Sequence, residues 1–194
     1  GLEKGDRVAL LAYNAAEWME LYAGLAAAGL VAVPVNFRLT APEVAYIAQH
    51  SQARAVVAQH SLRAVVDSVM QDLPLLQGRC IVFDGPASGG WHAYEALMEA
   101  APDSAPGVTV NSHDMSALMY TSGTTGRPKG VIRSHEGSTL IAMATALEMG
   151  FSAEDTGLMV MPMCHANSLY FSHTFAHLGA TCVIDDRRSF DPEA

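Results

Sequence analysis

The sequence predicts an α/β fold: a layered sheet, or sheets, covered by helices. Two observations predict it. Short strand-like runs alternate with helix-length segments through the first hundred residues. Strands separated by helices of this length argue for a parallel sheet covered on both faces.

In chain order, residues 7–13 (RVALLAY) read as a buried strand. Residues 15–29 place Trp18, Leu21, Tyr22 and Leu25 at helical spacing, and Gly29 is the stop. Residues 30–35 (LVAVPV) form a second short strand. The next helix opens at 40–50: Thr40 can cap, Pro42 fits the first turn, and Glu43 stands where a capping box needs it. A strand at 53–59, a helix at 61–73 and a strand at 79–84 follow. Residues 84–90 (DGPASGG) are a turn-rich break, and 91–101 (WHAYEALMEAA) read as a short helix.

Residues 101–114, punctuated by Pro102, Pro106 and Gly107, are the best linker in the chain. They divide it into a first α/β lobe (1–100) and a segment that begins a second lobe (115–194). In the second part, strands are expected at 115–121, 130–134, 156–162 and 179–185, with a long helix over roughly 136–149. There is no internal repeat.

Composition narrows the function. Half of the 194 residues are hydrophobic, enough for one compact domain or two small lobes sharing a core. A formal net charge of −9 and the lack of any basic run argue against nucleic-acid binding. The three cysteines, Cys80, Cys164 and Cys182, are far apart and form no CxxC pair. Neither a zinc knuckle nor a disulfide framework is indicated, and a reducing cytoplasm is the simplest setting. The longest apolar run, 21–35, is too short to span a bilayer and is broken by Gly and Pro.

One stretch carries chemistry: YTSGTTGRPKGV, residues 120–131. Gly123, Gly126 and Gly130 permit close approach of a ligand to the backbone. Thr121, Ser122, Thr124 and Thr125 supply hydroxyls, and Lys129 a mobile cation, with Arg127 nearby. Backbone N–H groups, hydroxyls and a cation together suit a polyphosphate. The plainer reading is a surface loop that happens to be rich in Ser, Thr and Gly. A Walker loop fails on spacing, because Pro128 stands where its second glycine belongs and Lys129 is followed by Gly130.

The stretch resembles the phosphate-binding signature of the adenylate-forming superfamily, which includes acyl-CoA synthetases. Residues 1–57 resemble the N-terminal region of those synthetases, and MPMCHANS at 161–168 resembles their P-x-x-H segment. The stretch VPVNFRLTAPEVAYI is closer to fatty-acyl and aryl CoA ligases than to peptide-synthetase domains. The resemblance covers essentially the whole chain. It implies part of the large N-terminal domain of an AMP-forming acyl-CoA synthetase, which uses ATP, Mg2+ and coenzyme A to activate a small carboxylic acid. The implied phosphate cradle is Thr121, Ser122, Gly123, Thr124, Thr125 and Gly126, with Lys129 as its cation. His165 is implied at the junction of the acyl pocket and the pantetheine channel, against the plainer reading of a histidine satisfied at a strand end.

Asn167, Ser168 and Phe171 are expected near the acyl cavity, and Ser168 departs from the glycine common in the family. The family's Tyr-Gly-x-Thr-Glu segment, ribose-binding aspartate and C-terminal lysine motif do not occur here. The segment is therefore expected to be inactive alone. The alternative is a truncated, non-catalytic nucleotide- or partner-binding module. His173 and His177, four apart, fit packing better than zinc, and Asp185 with Asp186 reads as the start of a loop.

Overall fold

The structure, a computed structural model, describes residues 1–121 and 127–187. Its frame is a seven-stranded sheet: β1 (Arg7–Leu11), β2 (Val31–Val35), β3 (Ala53–Gln59), β4 (Cys80–Phe83), β5 (Trp91–Ala93), β6 (Met115–Thr121) and β7 (Lys129–Ser134). The spatial order is β5-β4-β3-β1-β2-β6-β7. Every neighbouring pair is parallel except β6 and β7, which run antiparallel. A second, two-stranded parallel sheet joins β8 (Thr156–Met159) to β9 (Thr181–Ile184).

The alternating side chains of the central strands build a core on each face. Ala9, Leu11, Val33, Val35, Val56 and Ala58 point to one side. There they meet Val44, Ala45, Ile47 and Ala48 of α2 (Ala41–His50) and Val66 of α3 (Arg63–Asp67). Val8, Leu10, Ala32, Ala55, Val57, Ala117 and Met119 point to the other side. There they meet Trp18, Tyr22 and Leu25 of α1 (Glu17–Ala27), with Met163, Cys164 and Leu169. β1 is buried on both faces because it is the central strand, with β3 and β2 beside it and helices over each face.

Local chemistry sets the boundaries. Gly29, with φ +66°, turns the chain out of α1, and a Cβ there would lie 3.0 Å from Lys4 and 3.3 Å from Val108 and Val110. At the start of α2 the Thr40 N–H and hydroxyl both donate to Glu43 Oε2, at 2.8 and 2.7 Å. Those bonds hold the Glu43 carboxyl below its usual range. Lys4 donates to the Thr109 carbonyl (2.8 Å) and pairs with Asp114 (2.7 Å), fixing residues 109–114 to the N-terminal segment.

Two expected elements differ. The single helix over 61–73 is α3 flanked by three short 3-10 turns, at His60–Leu62, Met70–Asp72 and Pro74–Leu76. Leu62, Val66, Val69, Leu73 and Leu76 are all buried at helix-like spacing, while the backbone carries them on one α-helical turn and 3-10 turns. The expected helix over 91–101 begins later, as α4 (Tyr94–Ala100). Trp91–Ala93 instead extends the sheet edge beside β4. Trp91 Nε1 donates to Asp67 (2.8 Å), a tertiary anchor that no local pattern reveals.

The remaining helices, α5 (His135–Met149) and α6 (Ala166–Leu178), pack together, and α6 covers the small sheet. No helix among the described residues is long and apolar enough to cross a membrane. The contact between α6 and β8 is tight: a Cβ at Gly157 would lie 2.4 Å from Phe175 Cε2, and Phe175 is 4% exposed. Gly157→Ala is therefore expected to destabilise the chain by about 1–3 kcal/mol, as an overpacked core does. Gly157→Ala with Phe175→Leu should recover part of that loss. Urea unfolding of both variants and the parent checks this, and additive losses would contradict the contact.

Candidate functional site

β6 is parallel to β2, so the chain leaves it at the same edge of the sheet as it leaves β1, β2 and β3. In open α/β sheets that carboxyl edge is where ligands bind. The chain returns along β7, in register Thr121↔Lys129, Tyr120↔Gly130 and Met119↔Val131. The stretch at 120–131 is thus the end of an antiparallel hairpin. Ser122, Gly123, Thr124, Thr125 and Gly126 lie outside the described residues. Thr121 and Lys129 face each other across its mouth, both exposed.

Among the described residues the Lys129 ammonium has no ionic or hydrogen-bonding partner, and no carboxylate neutralises Arg127. Arg127 instead lies over the Tyr46 ring, 5.9 Å from its centroid. Gly130 is required by packing: a Cβ there would lie 2.9 Å from Leu118 Cδ1 and 3.4 Å from Tyr120 Cζ. The mouth therefore presents uncompensated positive charge at the end of a braced hairpin, an arrangement that attracts an anion.

His165 lies elsewhere on the fold and makes no bond to Lys129. It is exposed, at the N-cap of α6, with its N–H donating to Pro162 O (2.9 Å) and its carbonyl accepting from Leu169 (3.1 Å). Its neighbour Cys164 is buried, and burial pushes that thiol up to about 11, so it stays protonated.

A cavity of about 360 Å³ opens between α6 and β8. Asn167, Ser168 and Phe171 all line it, with Phe151, Gly157 and Met161. Its walls are chiefly apolar; His165 is not among them. Ser168 is 3% exposed, and its hydroxyl donates to Met161 O at 2.8 Å. Its oxygen therefore helps to hold the turn before α6 as well as occupying space.

Sequence reasoning passed over Asn14. Just beyond β1, its Nδ2 donates to Met161 O (3.1 Å) and Asp185 O (3.2 Å), while its Oδ1 accepts from Met163 N (2.8 Å). One amide joins the end of β1, the segment before α6 and the end of β9. Its place after a buried strand, at the carboxyl edge, is the only signal the sequence offers.

His173 and His177 do not converge on a metal. Among the described residues no group of three or more His, Cys, Asp or Glu side chains could hold one. His173 instead sets its ring edge-on to Tyr22, 5.8 Å between centroids. Burial holds it below its usual pKa, helped by Arg133 and His135. His135 is lowered too, by burial, against the pull of Asp114. Asp185 ends its strand in a loop, as expected, paired with Arg187 at 2.8 Å.

The family model described as AMP-binding enzyme matches residues 1–194. The 4-hydroxybutyrate–CoA ligase 2 of Metallosphaera sedula is 35% identical over 198 residues, covering 96% of this chain and 35% of that protein. The long-chain-fatty-acid–CoA ligase FadD13 of Mycobacterium tuberculosis is 39% identical over 185 residues, covering 94% and 35%. The crystal structure of the anthranilate CoA ligase AuaEII in complex with anthranoyl-AMP superposes with a TM-score of 0.89 at 25% identity, covering 96% of this chain and 36% of that one. The chain thus spans about a third of the length of the curated relatives it matches.

Two outcomes follow from this geometry. Asn14→Ala removes the amide partner of Asp185 O and of Met163 N, and leaves Met161 O to the Ser168 hydroxyl; it is expected to cost about 1–3 kcal/mol. Asn14→Asp, which sets a carboxylate against two carbonyl oxygens, should cost more, and urea midpoints give the order. His173 and His135 have folded pKa values below the unfolded value of about 6.5. The unfolded chain therefore binds more protons below pH 6.5, and stability held above that pH is lost as pH falls through the folded pKa. The slope is at most about 1.4 kcal/mol per pH unit for each histidine. His173→Gln should flatten it in unfolding measured from pH 7 to 5.

Proposed function

The chain belongs to the AMP-binding enzyme family, and from that premise we propose that it forms the phosphate-holding part of an AMP-forming acyl-CoA ligase. The observation that carries this reading is the hairpin mouth, where Lys129 stands exposed opposite Thr121 with no counter-charge among the described residues. Ser122, Gly123, Thr124, Thr125 and Gly126 complete the cradle in this reading.

In the first step a carboxylate oxygen attacks the α-phosphorus of ATP. The bond to the β-phosphate oxygen breaks, giving an acyl-adenylate and pyrophosphate. Both reactants are anions, so the reaction needs positive charge where negative charge accumulates. Lys129 and the hydroxyls beside it supply that at the departing pyrophosphate. Magnesium held on the phosphate oxygens of ATP would share in neutralising that charge. In the second step the thiol of coenzyme A attacks the acyl carbon and AMP leaves.

The α6–β8 cavity suits the acyl group: it is chiefly apolar, and Asn167, Ser168 and Phe171 line it. His165, at the start of the same helix, stands where the acid and thiol would meet in this reading. A non-catalytic module is not favoured, because the matching relatives are named as ligases along nearly all of this chain. The three unpaired thiols suit a reducing cytoplasm.

Lys129→Ala in the full-length ligase is expected to lower carboxylate-dependent ATP–pyrophosphate exchange about 10²-fold, the scale of one lost donor at a developing charge. Exchange at the parent rate would remove Lys129 from the site.

A further inference from the structure

We propose that Tyr46 and His50 of α2 are positioning residues for Lys129, gripping the hairpin by both shoulders. The proposal rests on reading the hairpin as the phosphate-holding element. On the β6 shoulder, His50 Nδ1 and the Tyr120 hydroxyl share a hydrogen bond of 2.7 Å, with the rings edge-on at 5.7 Å. On the β7 shoulder, the Tyr46 hydroxyl donates to Pro128 O at 3.2 Å, the carbonyl immediately before Lys129. Tyr46 and His50 stand one helical turn apart, and their rings stack at 5.4 Å and 29°. A single helix face therefore reaches Tyr120 of β6 and Pro128, the residue just before β7.

The grip is rigid at its base. α2 is seated by buried Val44, Ile47 and Ala48, and its first turn is fixed through Thr40 and Glu43. Burial pushes the Tyr120 hydroxyl up to about 12, with Tyr46 adding to the shift, so this partner of His50 keeps its proton at neutral pH. Gly130, opposite Tyr120 in the register, leaves the space that the Leu118 side chain occupies. Hairpin ends fray without such support, and a frayed β7 would let the Lys129 backbone wander. The contacts reach Lys129 only through its neighbours, so they set where the ammonium starts rather than touching nucleotide.

Tyr46→Phe keeps the stack and the cation–π contact but removes the bond to Pro128. His50→Ala and Tyr120→Phe each remove the other bond. In the full-length ligase each change is expected to raise the KM for ATP about 3- to 10-fold, the span of one lost hydrogen bond. The KM values for acid and coenzyme A should stay at parent values. His50→Ala with Tyr120→Phe should be no worse than either alone, and His50→Asn, which can still meet the Tyr120 hydroxyl, should recover the ATP dependence. In the 194-residue chain, hydrogen exchange at the Lys129 and Gly130 amides should rise by a similar factor in Tyr46→Phe. Unchanged KM for ATP in Tyr46→Phe and Tyr120→Phe, while Lys129→Ala still fails, would overturn the positioning role and leave the phosphate reading standing. Loss of all effect in Lys129→Ala would overturn both.

Discussion

The side-chain amide of Asn14 is the constraint on which the arrangement depends. The large sheet and the small β8–β9 sheet share no strand, so something polar must fix one against the other. Asn14 does so by satisfying two carbonyls and one N–H at once. Hydrophobic contact alone would let the segment before α6 slide, because apolar burial has no preferred direction. Directed hydrogen bonds at a half-buried site remove that freedom, and Tyr22 reinforces them from α1 by donating its hydroxyl to Met163 O at 3.2 Å. His165 stands two residues after Met163, which this network holds, and among the described residues its ring makes no hydrogen bond.

The hairpin follows a related logic. Two consecutive strands that run parallel need a crossover of a dozen or more residues, whereas antiparallel strands can be joined directly. The antiparallel return of β7 sets Thr121 and Lys129 opposite each other at the carboxyl edge. Reversing direction costs the sheet a flanking position: β7 is an edge strand, and Val131 and Ile132 on it are exposed at 45% and 64%. The α2 face that braces the hairpin belongs to the first part of the chain, so the stretch at 120–131 is supported by residues 70 and 82 positions earlier.

Residues 1–60 were legible because local and global demands agree there. Trp18, Tyr22 and Leu25 fall at helical spacing and are buried, Gly29 has the positive φ a helix stop requires, and Thr40 meets Glu43 as the capping pattern predicts. Residues 61–76 and 91–93 were misread because their outcome is set from outside. Leu62, Val66, Val69 and Leu73 fall at helical spacing, yet the segment packs on the sheet as one short helix among 3-10 turns. Trp91 suits a helix start, yet it pairs beside β4 and reaches Asp67.

The sequence by itself determined the α/β class, the two strands that flank the stretch at 120–131 and the glycine-, hydroxyl- and lysine-rich composition of that stretch. Those depend on residue type and short-range spacing, which a linear chain displays directly. Tertiary structure alone decided that β7 returns antiparallel and that Tyr46 and His50 reach its mouth. It also decided that Asn14 ties the two sheets, and that Ser168 spends its hydroxyl on Met161. Each of these is a contact between segments whose separation in sequence says nothing of their separation in space, and only the packing of both sheet faces brings them together.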